Sequence, residues 1–161
     1  MGILAAVAIF IVRKQIEAAR SGEAKAVIAG IRGAQHVYRQ EHLAYANCSA
    51  TLTSYYPHAT PDAKKYNFDN PGHTESACWT RLGIKTDGPV RYVYSVVAGA
   101  GNTALPAIPD FTAQPTWPSS VGPREPWFVV HAAGDLDGDG QRSSFWSSSF
   151  SNEVGVEREE E

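Results

Sequence analysis

The chain is short of charge, short of cysteine and short of any hydrophobic run that could cross a bilayer by itself. Charged residues fill only 19% of its 161 positions, and the net charge is −3. That balance offers no broad basic surface to nucleic acid. The five histidines, at positions 36, 42, 58, 73 and 131, form no H-x-x-x-H pair and none stands at zinc-finger spacing from a cysteine, so the common sequence forms of a zinc site are excluded. No G-x-S-x-G elbow and no phosphate-binding loop occurs, and the serines at 143, 144, 147, 148, 149 and 151 have no paired base in view. The expectation is therefore a protein that is not an enzyme. No internal repeat is visible, and no proline precedes Pro57. The longest apolar run, Gly2 to Val12, stops at Arg13 and Lys14. Such a run rises only about 16 Å as a helix, roughly half of a hydrocarbon core.

What is present falls into three stretches. In the first, Val27, Ile31, Ala34 and Tyr38 recur at spacings of four, three and four, which places them on one helical face. With no proline to interrupt it, the region from about residue 3 to 46 is predicted as one helix of about 65 Å, too long for a compact domain of this size, so its first half should protrude. From Cys48 to about residue 89 the text turns to Pro, Asn, Thr, Ser and Tyr without periodicity, and an irregular connection is predicted, with Trp79 and Leu82 as a small apolar anchor. The third stretch reads as strands: Val90 to Ala98, with Val90, Tyr92, Tyr94 and Val96 on one face, then Trp127 to Gly134, Arg142 to Phe150, and Glu153 to Glu157. A loop carrying six prolines separates the first two. Short turns between the later strands imply an antiparallel meander. The fold class is α+β, a long N-terminal helix on a sheet of about four strands. The organisation is a helical part at 1–47, its first 12 residues distinct, followed by a β-rich head at 48–161. The acidic end, Glu157 to Glu161, reads as a solvated tail.

Cys48 and Cys78 are thirty positions apart. In an exported chain such a lone pair forms a disulfide, and closing that loop would stabilise the fold by about 3.5 kcal/mol in the chain-entropy view. In a reducing compartment the two would be buried thiols. Asp135, Asp137 and Asp139, with Gly140, match the first half of a calcium loop, D-x-D-x-D-G, in which alternate positions aim oxygens at one centre. The second half fails, because Trp146 occupies the place of the bidentate glutamate. A calcium site would need another donor, such as Glu153 or a loop carbonyl. The alternative is a plain Asp-rich hairpin turn, its carboxylates bonded to nearby N–H groups. His131 is expected at the surface or half-buried in its strand. Trp79, Trp117, Trp127 and Trp146 would form either a binding surface or packing for the sheet.

Two sets of residues carry a resemblance. Gly2-Ile3-Leu4-Ala5-Ala6-Val7-Ala8-Ile9, followed by a basic step and the Ser21, Glu23, Ala24, Lys25 pattern, resembles the N-terminal helix of type IV pilins and type II secretion pseudopilins. DGPVRYVYSVVAG, AAGDLDGDGQRSSFW and SNEVGVE resemble the C-terminal sheet of myxobacterial-type pilin-like proteins. The resemblance implies a pilin-like fold whose helix begins part-way along the family's membrane segment. About a dozen preceding apolar residues would bring Gly2–Val12 to span length. Phe10 stands where many members of the family carry a helix-kinking proline, so a straighter helix is expected there. It further implies a structural filament subunit, with Gly2, Ile3, Leu4, Ala5, Ala6, Val7, Ala8 and Ile9 in the filament core. Its partners would be copies of itself and the assembly machinery of the inner membrane, where the precursor would reside before the filament reaches the cell surface. Motility and adhesion follow as roles. The alternatives within the resemblance are a secretion pseudopilin, or a minor pilin acting as an adhesion or DNA-binding module. No nucleic-acid partner is expected of the main reading, and no cofactor other than calcium on the Asp turn.

Overall fold

The computed structural model describes residues 2–117 and 124–159, except for the side chains of 2–14, 16 and 17. Six elements follow one another: α1 (Gly2–His42), α2 (Ser76–Leu82), β1 (Val93–Gly99), β2 (Trp127–Gly134), β3 (Ser143–Ser148) and β4 (Ser151–Glu157). The architecture is α+β, as the sequence led one to expect: a long N-terminal helix lies on a four-stranded antiparallel sheet of order β1-β2-β3-β4.

α1 runs for 41 residues. It stops at His42, short of the expected residue 46, because Leu43 takes a left-handed conformation (φ 58°) and its N–H closes the last turn on the Arg39 carbonyl at 2.8 Å. Arg39 places positive charge in that turn, where the helix dipole favours it. The buried face is Ser21, Ala24, Ile28, Ile31 and Gln35, spaced three, four, three and four. Of the expected stripe only Ile31 lies at its centre, and Val27, Ala34 and Tyr38 flank it. The displacement has a cause that hydropathy misses. Gln35 is fully buried, and its amide grips Ala46, four residues past the helix end at His42, donating to the Ala46 carbonyl at 2.7 Å and accepting from the Ala46 N–H at 2.9 Å. On a neighbouring face Lys25, Arg32 and Arg39 recur every seven residues and bond Glu159, Asn152 and Glu125. The acidic end is thus partly tied down, since Glu157 closes β4 and Glu159 pairs with Lys25.

The sheet is buried on both faces. Tyr94, Ala132, Phe145 and Val156 stand in register across the four strands and meet Ala24, Ile28 and Ile31 of the helix. Val90, Tyr92, Tyr94 and Val96 share that core as expected, although the ladder itself begins only at Val93. The opposite face carries Ser95, His131, Trp146 and Gly155 in register. Irregular chain covers it: Leu52, Ile108, Trp127 and Val129 form a second apolar cluster with Phe111, Trp117 and Trp146 packed against it. β2 is consequently buried along its whole length.

The connection after Cys48 is more ordered than its composition suggests. Asn47 and Ser49 cap the amides of Ala98 and Val96 with side-chain oxygens, and the N–H groups of Cys48 and Ser49 both donate to the Val96 carbonyl. Tyr56 then pairs with Tyr94, and Tyr66 with Val90. The free edge of β1 is thereby closed by the chain itself, which guards it against pairing with another molecule. α2 brings Cys78 to Cys48, and the two are joined in a disulfide with Cα atoms 5.3 Å apart. Trp79 and Leu82 are buried beside it, with Trp79 stacked on Tyr56 at 5.1 Å. Gly83 ends this helix at φ 68°, a conformation glycine adopts without strain.

Candidate functional site

Among the described residues, Asp135, Asp137 and Asp139 are the one group of His, Cys, Asp or Glu side chains with metal-binding proximity, each offering an oxygen within 4.8 Å of the others. They sit in the turn from β2 to β3, which Gly138 (φ 80°) and Gly140 (φ 90°) allow to fold back sharply. Asp135 accepts from the N–H groups of Gly138 at 2.8 Å and Gly140 at 3.1 Å. Asp137 accepts from the Asp139 N–H at 3.2 Å, and Asp139 from the Gln141 N–H at 2.7 Å. These are the bonds of a self-supporting Asx turn. One converging oxygen from each of the three carboxylates falls short of the roughly six to eight that calcium takes. Glu153 is not placed to add one, since its backbone lies beside Ser147, toward the end of β3 away from the turn. Trp146, at the position of the missing glutamate, lies flat over Gly155, where a Cβ would stand 2.1 Å from the indole Nε1.

The residues expected in a filament core, Gly2 to Ile9, belong to α1, and their side chains lie outside the described residues. The described residues ahead of the sheet-packed part, Gln15, Ala18 and Ala19, are exposed, and burial begins at Ser21. No described helix is both long and apolar enough to cross a membrane.

The histidines are dispersed. His36 stands edge-on to Tyr45 and Phe128, His42 to Tyr38, and His58 stacks on Tyr66. His73 accepts from the Glu75 N–H through Nδ1. His131 departs from expectation: it is fully buried, not at the surface, because the outer face it points to is roofed. Its Nδ1 lies 3.1 Å from the Leu52 carbonyl and its Nε2 lies 2.6 Å from Ser144 Oγ. A carbonyl can only accept, so the ring proton sits on Nδ1 and Ser144 donates to Nε2. Burial pulls the imidazole pKa down to about 4, and burial likewise pushes the Tyr55 phenol up to about 12. Ser144 is also fully buried, so this base–hydroxyl pair is sealed from any external substrate. The signal that could have found it is β2 itself: WFVVHAAG carries no charged residue and is apolar at both parities, the mark of a strand covered on two sides.

The four tryptophans pack rather than converge. Trp79, in α2, stacks on Tyr56, Trp127 donates from Nε1 to Thr103 Oγ1 at 2.9 Å, and Trp117 meets Trp146 edge-on at 5.5 Å. Two clefts of about 600 and 350 Å³ flank the segment 84–88. The larger has Tyr56, Phe68 and Trp79 as its buried floor, and the smaller opens against Glu23, Val27 and Gly30 of α1. In comparisons with known proteins, no family model, no curated protein and no solved structure matches the chain.

Proposed function

We propose that the chain is a structural subunit of a type IV pilus filament, polymerising through the apolar start of α1. The observation that carries this reading is the continuity of α1. A helix of 41 residues begins with the apolar run from Gly2 to Val12, and among its described side chains burial begins at Ser21. An apolar surface at the end of a helix stabilises whatever removes it from water, by roughly 1.5–3 kcal/mol per large side chain. A bundle of identical helices does so, and so does a bilayer once further apolar residues precede the run. The pairing of Lys25, Arg32 and Arg39 with the head supports the reading, because it fixes the helix axis rigidly to the body that would face outward.

The test is Ala6→Asp in the full-length precursor, expressed in cells without the wild-type copy. A lone carboxylate costs about 3 kcal/mol at the centre of a membrane helix, and a dry helix bundle offers it no partner. Every subunit repeats that defect, so elongation should fail. With stable precursor first confirmed by immunoblot, filaments counted by electron microscopy should be absent. Normal filaments would overturn the proposal.

A further inference from the structure

The outer face of the sheet is held to the segment 49–56 by polar groups that the filament reading leaves unused. The Leu52 carbonyl receives two buried bonds from the sheet, one from Ser95 Oγ at 2.8 Å and one from His131 Nδ1 at 3.1 Å. Beside them the Tyr55 ring lies 5.8 Å from the imidazole and packs on Val93 and Ala133. His131 is therefore the point at which one titratable side chain fastens irregular chain to regular sheet.

We propose that His131 is an acid-sensitive latch, which fastens residues 49–56 to the sheet at neutral pH and releases them when it is protonated. As an imidazolium it would donate from both nitrogens. The Leu52 carbonyl accommodates one, but the other would meet the Ser144 hydroxyl, whose hydrogen now points at Nε2 and would have to turn away. The charge would also arrive without a dedicated counter-ion. Of the groups around it, Tyr55 on the segment 49–56 stays neutral across this range. Asp110 and Arg142 lie 3.8 Å apart and offset one another. Glu157, opposite Ser144 on β4, already accepts from Thr112 at 3.1 Å. Two buried atoms in this layer, Tyr55 Oη and Asp110 Oδ2, have no hydrogen-bond partner, so beyond the backbone bonds of Ser49 and Tyr56 to β1 the hold on this segment includes the bonds that Ser95 and His131 make to Leu52.

The direction of the pH effect follows from linkage. In the closed state the pKa of His131 is about 4, against an ordinary value of 6.5, and an opened, hydrated His131 would return to that ordinary value. Closure is therefore fully favoured above pH 6.5, and its advantage is lost as pH falls toward 4. Between pH 7 and pH 4.5 the opening constant should rise on the order of 100-fold.

Amide hydrogen exchange, corrected for intrinsic rates, tests this on the oxidised full chain. Protection at Ser49 and Tyr56 should fall on the order of 100-fold from pH 7 to pH 4.5, while the amides of Ile28 and Ile31 in α1 hold theirs. In His131→Gln, whose neutral amide can still donate to Leu52 and accept from Ser144, the fall should vanish. Unchanged protection in the wild type overturns the latch. So does an equal fall in His131→Gln, or a parallel fall in α1, which would mark global unfolding. Should the variant not fold, the NMR titration of His131 in the wild type decides: a midpoint near 6.5 overturns the proposal, and one well below 5 supports it.

Discussion

Gln35→Leu removes the side chain that holds the Ala46 backbone beyond the end of α1. Leucine has nearly the same volume and is a better helix former in a buried stripe, so packing alone predicts a neutral or stabilising change. The hydrogen bonds predict the reverse. Gln35 is fully buried and Ala46 is 5% exposed, so the substitution would orphan both a donor and an acceptor on Ala46, now bonded at 2.9 and 2.7 Å. Each orphaned buried group costs about 1–3 kcal/mol, and the greater apolarity of leucine offsets about 1–2 kcal/mol of the sum. A net loss of about 2–3 kcal/mol is expected, together with a fall in Tm of roughly 5–10 °C for a chain of this length. Urea unfolding of the disulfide-intact protein, followed by circular dichroism at 222 nm, measures it. Gln35→Glu is the companion: it keeps the acceptor for the Ala46 N–H but sets a carboxylate against the Ala46 carbonyl, so it should be destabilising at pH 7 and milder at pH 4. A Gln35→Leu protein within 0.5 kcal/mol of wild type would refute the claim that this amide, and not the apolar stripe alone, sets the rotation of α1.

Replacing both Cys48 and Cys78 by serine should lower stability by about 3–4 kcal/mol, read as a shift of the urea midpoint, and a shift under 1 kcal/mol would show that the oxidised link is dispensable. Gly155→Val must displace the Trp146 indole, which leaves only 2.1 Å for a Cβ. Its tryptophan emission should shift to longer wavelength and its stability fall by about 2 kcal/mol or more, whereas unchanged emission would mean that the ring moves freely. Calcium titration followed by thermal melting should show affinity of about millimolar or weaker at the Asp turn, because no bidentate glutamate closes it. Micromolar affinity, abolished in Asp137→Asn, would contradict that.

The parts of the fold that follow from periodicity were legible. An uninterrupted helix needs only the absence of proline, and the alternation of Val90, Tyr92, Tyr94 and Val96 named its own face correctly. What escaped was polar burial. Gln35 and His131 are surface residues by type, and each is inside because of a partner in irregular backbone, Ala46 and Leu52, whose position no local pattern encodes. The second covering of the sheet escaped for the same reason: its pieces come from residues 48–56 and 105–117, which have no period to read. At the Asp turn the sequence brought the carboxylates together as the motif implies. It did not reveal that the hairpin register carries Glu153 toward the other end of β3.

The pairing of α1 with the end of the chain has a consequence for the order of synthesis. The residues that cover its buried stripe, Ala132, Phe145 and Val156, and the Glu159 that anchors Lys25, are made well after it. At about 5–20 residues per second, the helix waits roughly 5 to 25 seconds for them. The segment β2 to β4 can meanwhile close on itself through short turns, at little entropic cost. The nascent helix therefore spends its first seconds with its apolar stripe and its apolar start both uncovered. A ribosome working beside a bilayer or a chaperone should yield more folded protein than one releasing the chain into open solution.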